Sequence, residues 1–364
     1  MTKGLGAGGS LRSRHYWRWI RVTFAGTGFG HDGQERAAVV WGFLKYHHPA
    51  VTSGQHHWDY ELFRIMPQVL AAPDQASALA AISKWIANFG PVAPCTDCAT
   101  LALNTNLGWL SDTSLLGADL SQTLQSIYAN RTPQSTQFYI SLVSGVGNPS
   151  FKNELTYSSI KFPDSGYQLL ALFRFWNMVQ YFYPNREIMA NDPASRPNYW
   201  DQVLAQFIPT VAEANSSFAY QRQMMQFIAK INDTHANLWS STAVRPPTGS
   251  CYLPADLQFV QGVPVVLRNT SKSASPVSGL LPGDVIQQLG AADIGDLVTQ
   301  WTPFYADSNQ AARLRDMAEY MTRGACGQAS HRGHTCGARR GARTSGAGDP
   351  RTASPTPVTR AGAC

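Results

Sequence analysis

Apolar residues recur at three- and four-residue intervals in six stretches of this chain, the spacing that lines one face of an α-helix. The six stretches fall into two sets of three. In the first set, helices are predicted over Glu35–Tyr46, from Trp58-Asp59 onward, and over Gln75–Phe89. In the second they are predicted over Tyr167–Phe182, from Trp200-Asp201 onward, and over Phe218–Ile231. The first helix of each set should stop before Pro49 or Pro184, because the residue ahead of a proline is pushed out of the α region. Asp59 and Asp201 suit the positive end of a helix dipole. Pro67 and Pro209 should kink or end the helices that contain them, since proline lacks the amide donor and clashes one turn back.

The two sets resemble each other residue by residue. Trp41, Tyr46 and Pro49 recur 135 positions later as Trp176, Tyr181 and Pro184. After an insertion the offset becomes 142, and Trp58-Asp59, Leu62, Pro67, Val69 and Ile86-Ala87 match Trp200-Asp201, Leu204, Pro209, Val211 and Ile228-Ala229. A three-helix unit thus reads as internally repeated. The dense aromatics (Trp41, Phe43, Tyr46; Phe173, Phe175, Trp176, Tyr181, Phe182, Tyr183) fall at helical spacing and read as core rather than as a ligand box. Between the copies, turns and short strand-like runs such as Gln137–Val143 are expected, with no chemistry placed there.

Farther on the period changes. Leu257–Val260 and Val263–Leu267 read as strands around a tight turn at Gln261-Gly262. Pro282-Gly283 suits the centre of a type II turn, with proline fixing φ and glycine taking φ above zero. Val285-Ile286 then begins a strand that Gly290 ends, and Ile294–Leu297 follows. Ser308-Asn309 is placed to cap a helix carrying Ala311, Leu314, Met317, Ala318 and Met321 at helical spacing.

Charge changes the picture only at the end of the chain. The formal net charge is +6 over 364 residues, but residues 324–364 hold six arginines against one acid, leaving about +1 for the rest. A near-neutral body has no electrostatic footprint for a phosphate backbone, so no nucleic-acid partner is expected. The tail has Val358 as its single sizeable aliphatic and no aromatics, too little apolar surface to offset roughly 1–2 kcal/mol of backbone entropy per ordered residue. It reads either as a natural basic disordered tail or, the reading favoured here, as out-of-frame translation of GC-rich DNA. No run of about 20 apolar residues suggests a membrane span. The N-terminus lacks a signal-peptide core, and residues 1–34 remain an unassigned leader. Cys95 and Cys98 form a lone CxxC, read as a structural pair or two free thiols, and Cys251 is single; three further cysteines sit in the tail. No cofactor and no metal is expected.

His235 is the one candidate for catalytic chemistry. It lies within Lys230-Ile-Asn-Asp-Thr-His-Ala-Asn-Leu-Trp239, following Ile231–Thr234, where the helical pattern breaks. A bland reading makes it a surface or capping histidine; a sharper one makes it a general base, worth about 10²–10⁴-fold in rate when positioned. In the first copy, Pro91 and Ala93 stand where Asp233 and His235 stand in the second, so the scaffold does not itself demand Asp-x-His. Asp233 could orient the imidazole or cap the helix end. His47-His48 and His56-His57 suggest a metal cluster by number alone, but Phe182-Tyr183 and Asn198-Tyr199 replace them in the second copy.

Asp-x-His followed by Gly279-Leu-Leu-Pro-Gly-Asp-Val-Ile-Gln-Gln-Leu-Gly290 resembles the helical and PDZ segments of tail-specific (C-terminal-processing) and tricorn-type serine peptidases. The resemblance covers roughly residues 35–323. It implies a mainly α architecture with a small β-rich module: helical units over 35–92 and 167–240, a connecting segment over 93–166, a PDZ-like domain over 250–302 and a helix over 303–323. It also implies serine endopeptidase ancestry acting on unstructured or C-terminal peptide segments, with His235 as general base and Gly279, Leu280, Leu281 and Gly283 forming a peptide-binding turn. In such enzymes the serine lies in a later α/β domain, partnered by histidine and glutamate or by lysine. No such domain or serine is assigned here, and Ser330 has no strand–turn context, so whether this chain is an enzyme stays open and a truncated, inactive form is the expectation. The alternative is a non-catalytic PDZ-type module on a helical scaffold that captures peptide ends. The family works in the bacterial periplasm or cell envelope; oligomeric state is not readable.

Overall fold

The computed structural model of this chain describes residues 29–95, 107–132, 137–190, 198–238, 241, 243–270 and 280–325, together with the backbone of three two-residue strands beyond them. The described residues are mainly helical, with small antiparallel sheets. The chain divides into two compact units, residues 1–223 and 224–364, and the division falls inside a helix.

In the first unit α1 spans Phe29–His47, longer at its start than the spacing suggests, and a four-residue helix α2 follows at Pro49–Thr52. Helices α3 (Trp58–Leu70) and α4 (Gln75–Ala87) complete the first set. Asp74 begins α4 by accepting the amide of Ser77 at 2.7 Å, one of the donors that a helix start leaves unpaired. Pro67 does not end α3; the helix runs on to Leu70, and the carbonyl of Pro67 accepts from Ala71 at 3.0 Å. Pro209 behaves the same way within a later helix.

The connecting region holds helices besides the turns and short strands expected of it. It holds a 3₁₀ turn at Gly108–Ser111, a short α5 (Thr113–Leu116) and a full helix α6 (Ala118–Ala129). Leu120, Leu124 and Ile127 form the buried face of α6 and are what hold it in place. Among the described residues of this region the strands are β1 (Ile140–Leu142) and β2 (Pro149–Phe151), paired antiparallel with Ile140 opposite Phe151. Then come α7 (Ser165–Phe182), α8 (Tyr199–Ala212) and α9 (Ser217–Ala229).

The core of this unit is aromatic. Trp41 and Phe43 of α1 and Phe173 and Trp176 of α7 are buried. Trp41 donates its indole N–H to the carbonyl of Trp58 at 2.9 Å, and Trp58 returns the bond to Trp41 at 3.1 Å. Trp176 and Trp200 make the same reciprocal pair at 2.9 and 3.1 Å. The rings of each pair stack, with centroids 6.3 and 6.4 Å apart. Each indole therefore fills core volume while satisfying its one polar atom.

A buried ion network lies beside this core. Lys45, nearly inaccessible, bonds Glu154 and points over the faces of Trp41 and Tyr139. Arg174 bridges Glu154 and Asp59, and Tyr157 donates its hydroxyl to Asp59 at 2.7 Å. Asp59 is thus a partner in a buried pair rather than only an acid near a helix start. Two cations and two carboxylates leave the network neutral, which is what makes its burial tolerable.

In the second unit β3 (Cys251–Tyr252) pairs with β9 (Arg323–Gly324), so order reaches at least one residue into the segment assigned to the tail. Strands β4 (Ala255–Val260), β5 (Val263–Asn269) and β6 (Val285–Ile286) form a sheet with β4 at its edge; β7 (Gln288–Leu289) and β8 (Ala292–Asp293) form a separate small hairpin. Strand β11 (Ala338–Arg339) pairs with β6, and β10 (Thr335–Cys336) with β12 (Gly362–Ala363); the rest of the tail and residues 1–28 lie outside the described residues. The β4–β5 turn has Gln261 and Gly262 at φ 51° and 81°, as a type I′ hairpin turn requires. Gly283 has φ 91° and Asp284 N bonds Leu281 O at 3.0 Å, the type II turn expected at Pro282-Gly283. Helices α10 (Ile294–Trp301) and α11 (Gln310–Met321) complete the unit. Asn309 caps α11 by accepting from Ala312 at 2.9 Å, and Met317, Ala318 and Met321 are buried as their spacing suggests.

Candidate functional site

Helix α9 ends when Asn232 takes a left-handed conformation, φ 53°, which asparagine tolerates better than most residues. The chain then runs through an extended Asp233 into a 3₁₀ turn, Thr234–Ala236. His235 therefore lies in this turn, beyond the end of α9. Asp233 meets the imidazole, and instead of capping the end of α9 it caps the start of the 3₁₀ turn. Its Oδ1 accepts the backbone amide of His235 at 2.9 Å and lies 3.0 Å from His235 Nδ1. The imidazole side chain is otherwise 97% exposed.

A carboxylate on Nδ1 fixes the tautomer that carries its proton there and leaves Nε2 as the free base. Such a nitrogen can take a proton from a hydroxyl or a water. Among the described residues, no side chain hydrogen-bonds Nε2. The turn is held from behind by the segment ahead of α11: Thr234 N bonds Ser308 Oγ and Ser308 N bonds Thr234 Oγ1, both at 3.3 Å. Asn237 clamps the same strap twice, donating to Ala306 O at 2.8 Å and accepting from Ala306 N at 3.2 Å.

Behind Asn237 lies a polar cluster that no spacing announced. Arg245 is fully buried, donates to Asn237 Oδ1 at 2.9 Å, and lies over the rings of Tyr305 and Tyr320. Tyr305 donates to Pro246 O at 2.9 Å. Asp307 and Asp316 are also buried. Burial first, and then the neighbouring Asp316 carboxyl, push Asp307 up to about 7; Arg313 and Arg315 oppose the shift. These residues are separated by up to about 80 positions, so only the folded chain brings them together.

The expected peptide-binding turn is partly outside the described residues, because Gly279 is. Leu280 is buried in the core of the unit and Leu281 is half-exposed. The amides of this turn are already engaged: Leu281 N donates to Asp284 Oδ2 at 2.9 Å and Gly283 N to Val266 O at 2.8 Å. They are not available to a peptide carboxylate in this arrangement. Among the described residues, β4 pairs with β5 on one side only, which leaves an edge for an extended peptide.

The paired histidines have packing roles. His47 Nδ1 lies 2.8 Å from Phe43 O, and His48 Nδ1 accepts the amide of Ala50 at the start of α2. Burial pushes each of them down to about 4. His57 stacks on Tyr60 and His56 meets the edge of Phe89. Among the described residues, no three histidine, cysteine or acidic side chains gather as a metal site needs. Cys95 is disulfide-bonded and so is not a free thiol, and Cys251 is disulfide-bonded too. Cys98 and Ser330 lie outside the described residues. No described helix is long and apolar enough to cross a membrane. Compared with protein-family models, curated proteins and solved structures, the chain gives no match.

Proposed function

We propose that this chain carries the helical and PDZ-like portion of a serine-type endopeptidase of the tail-specific or tricorn kind, with His235 as its general base. The observation that carries the reading is the Asp233–His235 pair: a carboxylate 3.0 Å from Nδ1 and an exposed ring beyond it. This is the orientation a base needs in a hydroxyl-activating triad. The reciprocal Trp41–Trp58 and Trp176–Trp200 pairs support an internally repeated helical unit. The two turns at Gln261-Gly262 and Pro282-Gly283 support the PDZ-like assignment of the sheet. The serine that His235 would activate has no candidate among the described residues.

The second reading is a peptide-binding module without catalysis, in which an extended chain end adds to the open edge of β4 through backbone hydrogen bonds. The unpaired edge favours it. One experiment separates the two. The full chain is incubated with an unstructured peptide, and both cleavage products and bound peptide are followed, with His235→Ala alongside. Cleavage lost in His235→Ala supports the peptidase reading. Saturable binding without cleavage, unchanged in His235→Ala, supports the module. Cleavage that survives His235→Ala removes His235 as the base, and absence of saturable binding removes the module.

A further inference from the structure

Asp59 and Asp201 stand in corresponding places, each directly after the second tryptophan of a reciprocal pair. Their surroundings differ. Asp59 is closed off by the Arg174 guanidinium and the Tyr157 hydroxyl. Asp201, in contrast, accepts no hydrogen bond and forms no ion pair among the described residues. Its side chain lines a cavity of about 330 Å³, at the small end of the range that holds low-molecular-weight ligands. The walls are apolar and aromatic: Val39, Val40, Leu115, Leu116, Trp109 and Trp176. Glu35, Arg36 and Gln180 also line it, the formal charges of the first two summing to zero. Arg186 attracts Asp201, but its guanidinium is bonded to Glu187 at 2.6 Å. Burial pushes the Asp201 carboxyl up, as expected of an acid in an apolar recess with no counter-ion in contact.

We infer that this cavity binds a small organic cation, a primary ammonium or guanidinium on a compact apolar body, with Asp201 taking the charge and Trp109 and Trp176 facing the apolar part. The ligand does for Asp201 what Arg174 does for Asp59. Aromatic walls suit such a ligand, because the ring faces are attractive to cations and the edges pack against its body. The inference is independent of the peptidase reading.

The test is calorimetric titration of the full chain with phenethylamine, and with 2-phenylethanol as its neutral counterpart of similar shape. Phenethylamine should bind at least about tenfold more tightly than the alcohol, as an ion pair in a recess requires. In Asp201→Asn the preference should vanish while the melting temperature does not fall, since the substitution removes an unpaired, half-buried charge. Val39→Trp, which fills the cavity, should abolish binding of both and serves if Asp201→Asn proves poorly folded. The same cation on the lysine of a blocked tripeptide should bind more weakly, because about 330 Å³ leaves little room for flanking backbone. Equal affinity for amine and alcohol, a preference that survives in Asp201→Asn, tighter binding of the tripeptide, or no binding by the wild type overturns the assignment.

Discussion

Asp307 and Asp316 bury two carboxyl groups within hydrogen-bonding reach of each other, and the pair can hold only one negative charge comfortably. The folded chain keeps the Asp307 proton to about pH 7, whereas an unfolded chain releases it near 3.8. The raised value means that the contribution of Asp307 to stability is fully present below pH 3.8 and is lost as pH rises through 7. Asp307→Asn imitates the protonated acid, with an amide that can donate to Asp316. We expect it to raise stability by about 1–2 kcal/mol at pH 8, with little effect at pH 4. Denaturant titrations of wild type and variant at both values check this; a destabilised variant at pH 8 would count against the shared proton.

His47 titrates in the opposite sense. Its folded value is about 4 against an ordinary 6.5, because burial excludes the charged ring. The stability that neutral His47 contributes is present above pH 6.5 and is lost as pH falls through 4. The expected loss on acidification is about 2–3 kcal/mol for this residue. His47→Leu should flatten the acid limb of a stability–pH curve measured by thermal melting between pH 7 and 4.5. A limb of unchanged slope would mean the ring is not held neutral.

Gly42 lets α1 and α7 approach closely. A Cβ on residue 42 would fall 1.9 Å from Cγ of Asn177, whose amide bonds Ala38 O at 3.2 Å and Phe173 O at 2.8 Å. Gly42→Ala should therefore cost about 1–3 kcal/mol through overpacking, despite alanine's better helix propensity. Gly42→Ala combined with Asn177→Ala should recover part of the loss. The measurement is the urea midpoint of each single variant and of the double.

Asp59 is the closed counterpart of Asp201. Asp59→Ala leaves Arg174 partly uncompensated beside Lys45 and should cost about 3–5 kcal/mol, the range for breaking a buried pair from one side. A loss below about 1 kcal/mol, measured by chemical denaturation, would show that the network is well solvated.

Local chemistry is what could be read in the chain. The hairpin at Gln261-Gly262 and the turn at Pro282-Gly283 are carried by adjacent residues whose backbone preferences leave few alternatives. The helix capped by Asn309 and the tryptophan positions of both helical sets also follow from short-range pattern. Helix α6 shows the limit: Leu120, Leu124 and Ile127 have helical spacing, but a pattern of three apolar residues is too short to mark a helix by itself. The Lys45–Glu154–Arg174–Asp59 network joins positions up to 129 apart, and no periodicity encodes such pairings. At the site, the Asp-x-His motif was visible because it is local. The Asn237–Ala306 clamp, the Thr234–Ser308 bonds and the Arg245 cluster needed the fold to meet.

The central claim is that Asp233 holds His235 as a base with Nε2 open, and long-range ¹H–¹⁵N NMR of the imidazole tests it directly. At a pH where the ring is neutral, the account predicts a ring protonated at Nδ1, with that preference lost in Asp233→Ala. A ring protonated mainly at Nε2 in the wild type, or a spectrum that Asp233→Ala leaves unchanged, would contradict it.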